Sequence, residues 1–255
     1  MENKPTLVLI HGFLSGPEYW HKQINTLSER YNVQAICLKG FSTRGHEVAP
    51  DSIEGFANDV IRLLEGQGID SFYLLGHSMG GMIAQQIAHC IPQRVKGLIL
   101  YGTGPHGSLP GRFEPIDYSI KKASIETFPS SVYLAVNSWF LDSKKSQNDI
   151  QESLLLASQA SFDSYKNGLL AMSTWDGEDY LATFEMPTLI IWGDNDRSYQ
   201  WESQPFKLWK NIPHSSLSVV NDCAHNVHLE KPHMFNLIVE NYLEHLSLAN
   251  PEATS

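Results

Sequence analysis

Gly76-His77-Ser78-Met79-Gly80 sets a serine between glycines, where an apolar run at residues 72–75 gives way to a helix-like stretch at 82–90. A strand–turn–helix junction of this kind is a nucleophile elbow: the turn holds the Ser78 hydroxyl at the strand's C-terminal edge, and the helix's first N–H groups face developing negative charge. Gly76 and Gly80 remove the Cβ atoms that would clash where the strained turn and its neighbours meet. A serine hydroxyl is a poor nucleophile without a base, and the base needs an orienting acid. Two later loops carry candidates. Gly193-Asp194-Asn195-Asp196-Arg197 follows the apolar run 188–192, and Asn221-Asp222-Cys223-Ala224-His225 follows 217–220. If these runs are strands of one sheet, serine, acid and histidine stand on a single edge. The residues alone leave the acid open among Asp194, Asp196 and Asp222, and leave His228 as a second choice of base.

The elements that must position these groups follow from the alternation along the chain. Strand-length apolar runs occur at 7–10, 33–38, 72–75, 98–101, 188–192 and 217–220. Most are continuously apolar, as parallel strands buried on both faces require. Helical patterns lie between them at 19–30, 53–65, 82–90, 205–209 and 232–245. Such alternation predicts a doubly wound, mostly parallel α/β sheet with ligands at the carboxyl ends of its strands. From about 107 to 184 the rhythm breaks into helical segments at 119–127, 132–140, 148–158 and 161–172, introduced by a Gly/Pro-rich run at 102–111 and closed by Met186-Pro187. The predicted organisation is therefore a core of residues 1–106 and 185–255 with a helical cap, 107–184, inserted into it. Residues 248–255 read as a frayed tail.

Composition narrows the partners. The 255 residues carry a formal net charge of −10 and a pI near 5.5, which argues against nucleic acid or an anionic membrane. Hydrophobic residues, 42% of the chain, suffice for a full core. The three cysteines, Cys37, Cys90 and Cys223, are too dispersed for a disulfide framework or a zinc pattern. No signal-like segment precedes the first strand, and no apolar run reaches membrane-spanning length. A cytoplasmic protein acting on a small molecule, with no cofactor and no metal, is the expectation.

The motifs together resemble the α/β-hydrolase superfamily over nearly the whole chain. His11-Gly12-Phe13 is similar to its oxyanion loop, Gly193-x-x-Asp196 to its acid motif, and Ala224-His225 with Glu230-Lys231-Pro232 to its histidine ending. The resemblance implies Ser78 as nucleophile, Asp196 as acid and His225 as base, with the backbone N–H groups of Phe13 and Met79 as the oxyanion hole. It also implies a structural role for His11, while His77 reads as an elbow packing residue and His106 as a loop residue. The family's first antiparallel hairpin has no room before Leu7, so about six strands are expected. Two departures stand out: the segment Lys39 to His46 lacks the family's usual pattern after the second strand, and no proline follows Asp196.

Within the superfamily, residues 81–88 and the stretches around Trp175 and 187–193 look like the esterase and 3-oxoadipate enol-lactonase branch. A serine nucleophile disfavours the epoxide hydrolases and haloalkane dehalogenases, which use aspartate. The resemblance implies hydrolysis of an ester or lactone of a small, largely apolar or aromatic substrate. Meta-cleavage C–C hydrolases are the alternative, although His77 and Asn226 replace their usual Asn and Trp. A lyase, a cofactor-free oxygenase or a ligand receptor of the same fold is the third. Phe140, Met172 and Trp175 are the expected pocket walls, and the cap's few basic residues (Arg112, Lys121, Lys122, Lys144, Lys145 and Lys166) suggest no carboxylate clamp.

Overall fold

A computed structural model describes residues 4–107 and 116–249. Six parallel strands, β1 (Thr6–Ile10), β2 (Asn32–Ile36), β3 (Phe72–His77), β4 (Val95–Tyr101), β5 (Thr188–Gly193) and β6 (Ser215–Val220), form one sheet in the order β2-β1-β3-β4-β5-β6. The order reverses between β1 and β3, so the loops leaving these two strands diverge and open a crevice at their carboxyl ends.

Side-chain alternation divides the apolar residues between two layers. On one face Val8, Ile10, Leu74, Leu98, Leu100 and Ile190 pack against α2 (Ile53–Gly66) and α3 (Met79–Cys90). On the other, Leu7, Leu9, Tyr73, Leu75, Ile99 and Ile191 pack beneath α1 (His21–Leu27) and the C-terminal helix. The continuous apolar runs are thus two-sided, as parallel pairing demands. The edge strands β2 and β6 are less buried.

Between β4 and β5 lie α4 (Ile116–Lys122), α5 (Phe128–Ser138), α6 (Gln147–Ala157) and α7 (Phe162–Thr174). A short antiparallel bridge, His106 to Asp176, joins the two chain segments that lead into and out of this insertion. The Gly/Pro-rich residues 108–111 and Arg112 lie outside the described residues. After β5 come α8 (Pro205–Asn211), α9 (Val227–Glu230) and α10 (Pro232–Ala249). Among the described residues, no helix is long and apolar enough to cross a membrane.

Several boundaries differ from the sequence pattern for local reasons. The predicted helix 19–30 divides into a 3-10 turn, Pro17–Trp20, and α1. Helix α3 begins at Met79, three residues early, because the left-handed Ser78 (φ 57°) turns the chain directly into the helix. Helix α5 begins at Phe128, with a proline in its first turn, where the missing N–H leaves no bond unmade. Helix α10 continues to Ala249, so Leu248 is helical rather than part of a tail. His228 sits in the separate α9, not at the start of the last helix.

The glycines of the elbow are required by contact. A Cβ on Gly76 would stand 2.2 Å from the Gly80 carbonyl oxygen, and one on Gly80 would stand 2.4 Å from that of Ile10. Strand β1, strand β3 and helix α3 therefore meet backbone to backbone. Gly80→Ala should destabilise the fold by about 1–3 kcal/mol or more, the cost of overpacking. Gly66→Ala, whose Cβ would meet nothing within 4 Å, should be neutral or stabilising by up to about 1 kcal/mol. Urea unfolding of the two variants checks this contrast, and equal effects would contradict the packing argument.

Candidate active site

Ser78 occupies the tip of the β3–α3 elbow with φ 57° and ψ −121°, a conformation that side chains other than glycine rarely adopt. Neighbouring strands hold it there. Its N–H donates to the Tyr101 carbonyl at 3.0 Å, and its carbonyl accepts from the Thr103 hydroxyl at 2.8 Å.

His225 leaves the loop after β6 and meets Asp196, from the loop after β5. The imidazole Nδ1 lies 2.9 Å from Asp196 Oδ2, and both side chains are buried. The other carboxylate oxygen of Asp196 accepts from the N–H groups of Ser198 at 2.7 Å and Tyr199 at 3.2 Å. With Asp196 accepting, Nδ1 carries the proton and Nε2 presents a lone pair. Asp194 and Asp222 are exposed and paired with their asparagine neighbours, so of the three candidate acids Asp196 is the one that reaches His225.

The backbone of His225 is fixed as firmly as its ring. Its carbonyl accepts from the Tyr101 hydroxyl at 2.7 Å and from His77 Nε2 at 3.2 Å. That bond makes His77 an Nε2–H tautomer and gives it a bonding role beyond packing. The Tyr101 hydroxyl also accepts from the His228 N–H at 3.2 Å. His228, the second choice of base, thus lies behind Tyr101. His11 accepts from the Leu38 N–H at Nε2 (3.1 Å) and donates through Nδ1 to the Gly12 carbonyl (2.8 Å), pinning the loop after β1 to the loop after β2. Burial holds His11 far below the ordinary histidine range, at about 4, against a raising contribution from its bond to Gly12. Burial, reinforced by His225 and then His228, pushes His77 well down, and burial followed by His225 does the same to His228. All three stay neutral scaffolding at physiological pH.

Ser78 and His225 wall one small cleft with Gly12, Phe13, Ser15, Tyr19, His77 and Trp139. Its volume is about 10 Å³, room for roughly one water. Among the described residues Ser78 Oγ has no hydrogen-bond partner. Neither do the backbone N–H groups of Phe13 and Met79, which leaves both free to meet an anion. Gly12 brings the first of these close, since a Cβ on it would lie 3.1 Å from Ser78 Cβ.

Comparison with known proteins bears on this arrangement. The sequence profile described as the alpha/beta hydrolase fold matches residues 5–232. The chain belongs to the alpha/beta hydrolase fold family. It is similar to a 2-hydroxy-6-oxononadienedioate/2-hydroxy-6-oxononatrienedioate hydrolase of Pseudomonas putida, at 28% identity covering 96% of this chain and 89% of the relative. A pimeloyl-acyl-carrier-protein methyl ester esterase of Yersinia enterocolitica is 27% identical, with 93% of each chain covered. The enol-lactonase from Burkholderia xenovorans superposes with a TM-score of 0.85 at 21% identity, covering 95% of this chain and 92% of that one. The fold and hydrolase class are thereby shown.

In this alpha/beta hydrolase two aromatic rings that the sequence did not single out flank His225. Trp139 rests 6.2 Å from the His225 ring, and Tyr199 stacks on that ring at 5.6 Å with an interplanar angle of 17°. The expected walls Phe140, Met172 and Trp175 do not line the cleft beside Ser78. All three are buried in the core, where the Trp175 indole N–H donates to Gln86 at 3.2 Å. At the end of α5 successive side chains diverge by about a third of a turn, so Trp139 reaches the cleft and Phe140 the core. Glu230 was legible as part of a motif but not in its action. Its two carboxylate oxygens accept from the N–H groups of Ala224 and Leu141, each at 2.8 Å, joining the His225 loop to the inserted helices. Burial raises its pKa, partly offset by these two bonds.

Cys223 is a buried thiol pushed up to about 12 by burial, unsuited to nucleophilic use. Among the described residues one group could share a cation: His106, Asp176 and Glu178. Lys207 already lies 3.1 Å from Glu178, so the group is a salt-bridge network at the base of the insertion. The unusual segment Lys39 to His46 folds into a 3-10 turn, Ser42–Arg44, locked by Arg44 on Asp59 at 2.7 Å and on Glu47.

The buried neutral histidines give a pH prediction. Their folded pKa values lie below the unfolded value of 6.5, so the unfolded chain binds more protons below that pH. The associated stability is full above pH 6.5 and is lost as the pH falls, down to about 4 for His11. Each group contributes up to about 1.4 kcal/mol per pH unit. Urea titrations at pH 7, 6 and 5 should show the unfolding free energy falling steeply below 6. A flat profile would contradict the neutral assignment.

Proposed function

We propose that this hydrolase cleaves a carboxylic ester or lactone of a small, largely apolar or aromatic molecule through an acyl-enzyme on Ser78. The observation that carries the reading is the Asp196–His225 pair at 2.9 Å with His225 and Ser78 on the walls of one cleft. His225 Nε2 takes the Ser78 proton as Oγ attacks the substrate carbonyl. Asp196 holds the tautomer and stabilises the imidazolium that forms. The oxyanion is met by the N–H groups of Phe13 and Met79, supplied without reorganisation by the β1 loop and the N-terminus of α3. His225 returns the proton to the departing alcohol, then activates water for deacylation. The chemistry needs no cofactor.

The names of relatives support hydrolysis and separate on substrate charge. The Pseudomonas putida relative is named for a dioate, which carries two carboxylates. Lysine and arginine are both absent from the described walls of the Ser78 cleft, which favours a neutral ester over a dianion.

A serine-directed fluorophosphonate should label the purified wild-type chain at Ser78, and p-nitrophenyl acetate should be turned over. Ser78→Ala and His225→Ala should abolish labelling. Asp196→Asn should lower kcat by about three to four powers of ten through loss of the correct tautomer. Phe13→Pro, which removes one oxyanion donor, should cost about two to three powers of ten. A wild-type chain that neither labels nor turns over any ester would overturn the proposal.

A further inference from the structure

The part of the Ser78 cleft walled by described residues is too small for the substrate its chemistry requires. About 10 Å³ admits no acyl group or leaving group. The cleft nonetheless carries a waiting polar contact. Ser15 Oγ is buried on its wall and has no hydrogen-bond partner. The substrate's bulk must lie in space that adjoins this cleft.

Tyr19 has such space on its far side. The residue is a wall both of the Ser78 cleft and of a cavity of about 350 Å³ between the 3-10 turn Pro17–Trp20 and α6. That volume falls in the usual range for small-molecule sites, about 300–1,000 Å³. A polar groove of about 870 Å³ lined by Lys144, Asp222 and Lys231 lies nearby but shares no wall residue with the Ser78 cleft. The Tyr19 hydroxyl is tied to the far side by a 3.3 Å hydrogen bond with Ser153, longer than the usual range for hydroxyl pairs, and its ring packs edge-on against His228 at 4.8 Å.

The lining of the cavity states what it would accept. Leu155, Leu156 and Leu229 form an apolar wall, and Leu155 is 68% exposed. Glu18, Asp149 and Glu152 supply three carboxylates, and His21 completes the rim. Asp149 is neutralised by Lys22 at 2.6 Å. Glu18 is held by the Ser42 hydroxyl, which leaves its charge in place. Glu152 has no cationic partner among the described residues. The rim is therefore acidic.

We propose that the cavity behind Tyr19 binds the apolar arm of the substrate, joined to Ser78 by a swing of the Tyr19 ring, and that its carboxylate rim restricts that arm to neutral or cationic groups. This rests on the reading of Ser78 as the acylated residue. It adds where the substrate lies and which charge it can carry.

Racemic alkyl ethyl phosphonofluoridates test it, because the two enantiomers present the alkyl arm to either side of Ser78. Labelling of Ser78 in the full chain is followed by mass spectrometry. From methyl to hexyl, the second-order rate should rise about three- to fourfold per methylene, the transfer free energy of a methylene expressed as a ratio. A carboxylate-ended arm should label at least tenfold more slowly than a neutral arm of equal length. Leu156→Trp, which fills the cavity, should reduce the hexyl-to-methyl ratio at least tenfold. Glu152→Lys, an exposed substitution that cannot be mistaken for misfolding, should narrow the charge discrimination about three- to tenfold. If the methyl compound labels Ser78 while both ratios are the same in wild type and variants, the cavity assignment is overturned and the serine hydrolase reading stands. If no compound labels Ser78, both are overturned.

Discussion

The carboxyl end of β1 and the first turn of α3 approach so closely that their backbones touch, and the rest of the site depends on that contact. The Gly80 Cα faces the carbonyl oxygens of Ile10 and His11 with no room for a side chain. The chain can enter α3 directly from β3 only if Ser78 adopts a left-handed conformation. That strain persists because hydrogen bonds from Ser78 to Tyr101 and from Thr103 to Ser78 over-determine the turn. The same contact brings the β1 loop, with Phe13 and its free N–H, against Ser78. One steric constraint thereby sets the relative position of the candidate nucleophile and of half the proposed oxyanion hole.

On the other side of the cleft the organising interaction is the carbonyl of His225. Tyr101, at the end of β4, and His77, at the end of β3, both donate to it. The loop carrying the histidine is thus referenced to the same strands that carry the serine. A protonated His77 or His228 would place a second positive charge beside His225, and burial prevents it. Two neutral imidazoles therefore surround the one whose Nδ1 faces a carboxylate. Charge is confined to the place where Asp196 can compensate it.

Two of the ties between the inserted helices and this frame lie beside His225. Glu230 ties Leu141 to Ala224, and the Asn226 N–H donates to the Trp139 carbonyl at 3.2 Å. Both ties end on a residue adjacent to His225. Phe13 packs on Tyr165 of α7 at 5.6 Å and on Phe41 at 5.9 Å, which supports the β1 loop from above and from the side. The unusual Lys39 to His46 segment supplies that second support. Its arginine is half-buried against Asp59 and Glu47.

What the sequence by itself determined was everything governed by short range: the alternation of strands and helices, and the elbow whose glycines and serine are adjacent in the chain. The strand-end loops that hold Asp196 and His225 were legible too, because parallel strands deliver their carboxyl ends to one edge. The Gly193-x-x-Asp196 pattern pointed to Asp196, but only tertiary structure shows that it reaches the histidine, since Asp194, Asp196 and Asp222 are equivalent in type and differ in where two loops converge. Tertiary structure also decided the walls of the cleft. Trp139 and Phe140 are neighbours of similar character, and which one meets Ser78 depends on how α5 docks on the core. Tyr19 reads in sequence as one more apolar helix residue. Its place between two cavities exists only once α6 has packed across it, a contact between segments more than a hundred residues apart that no local pattern encodes.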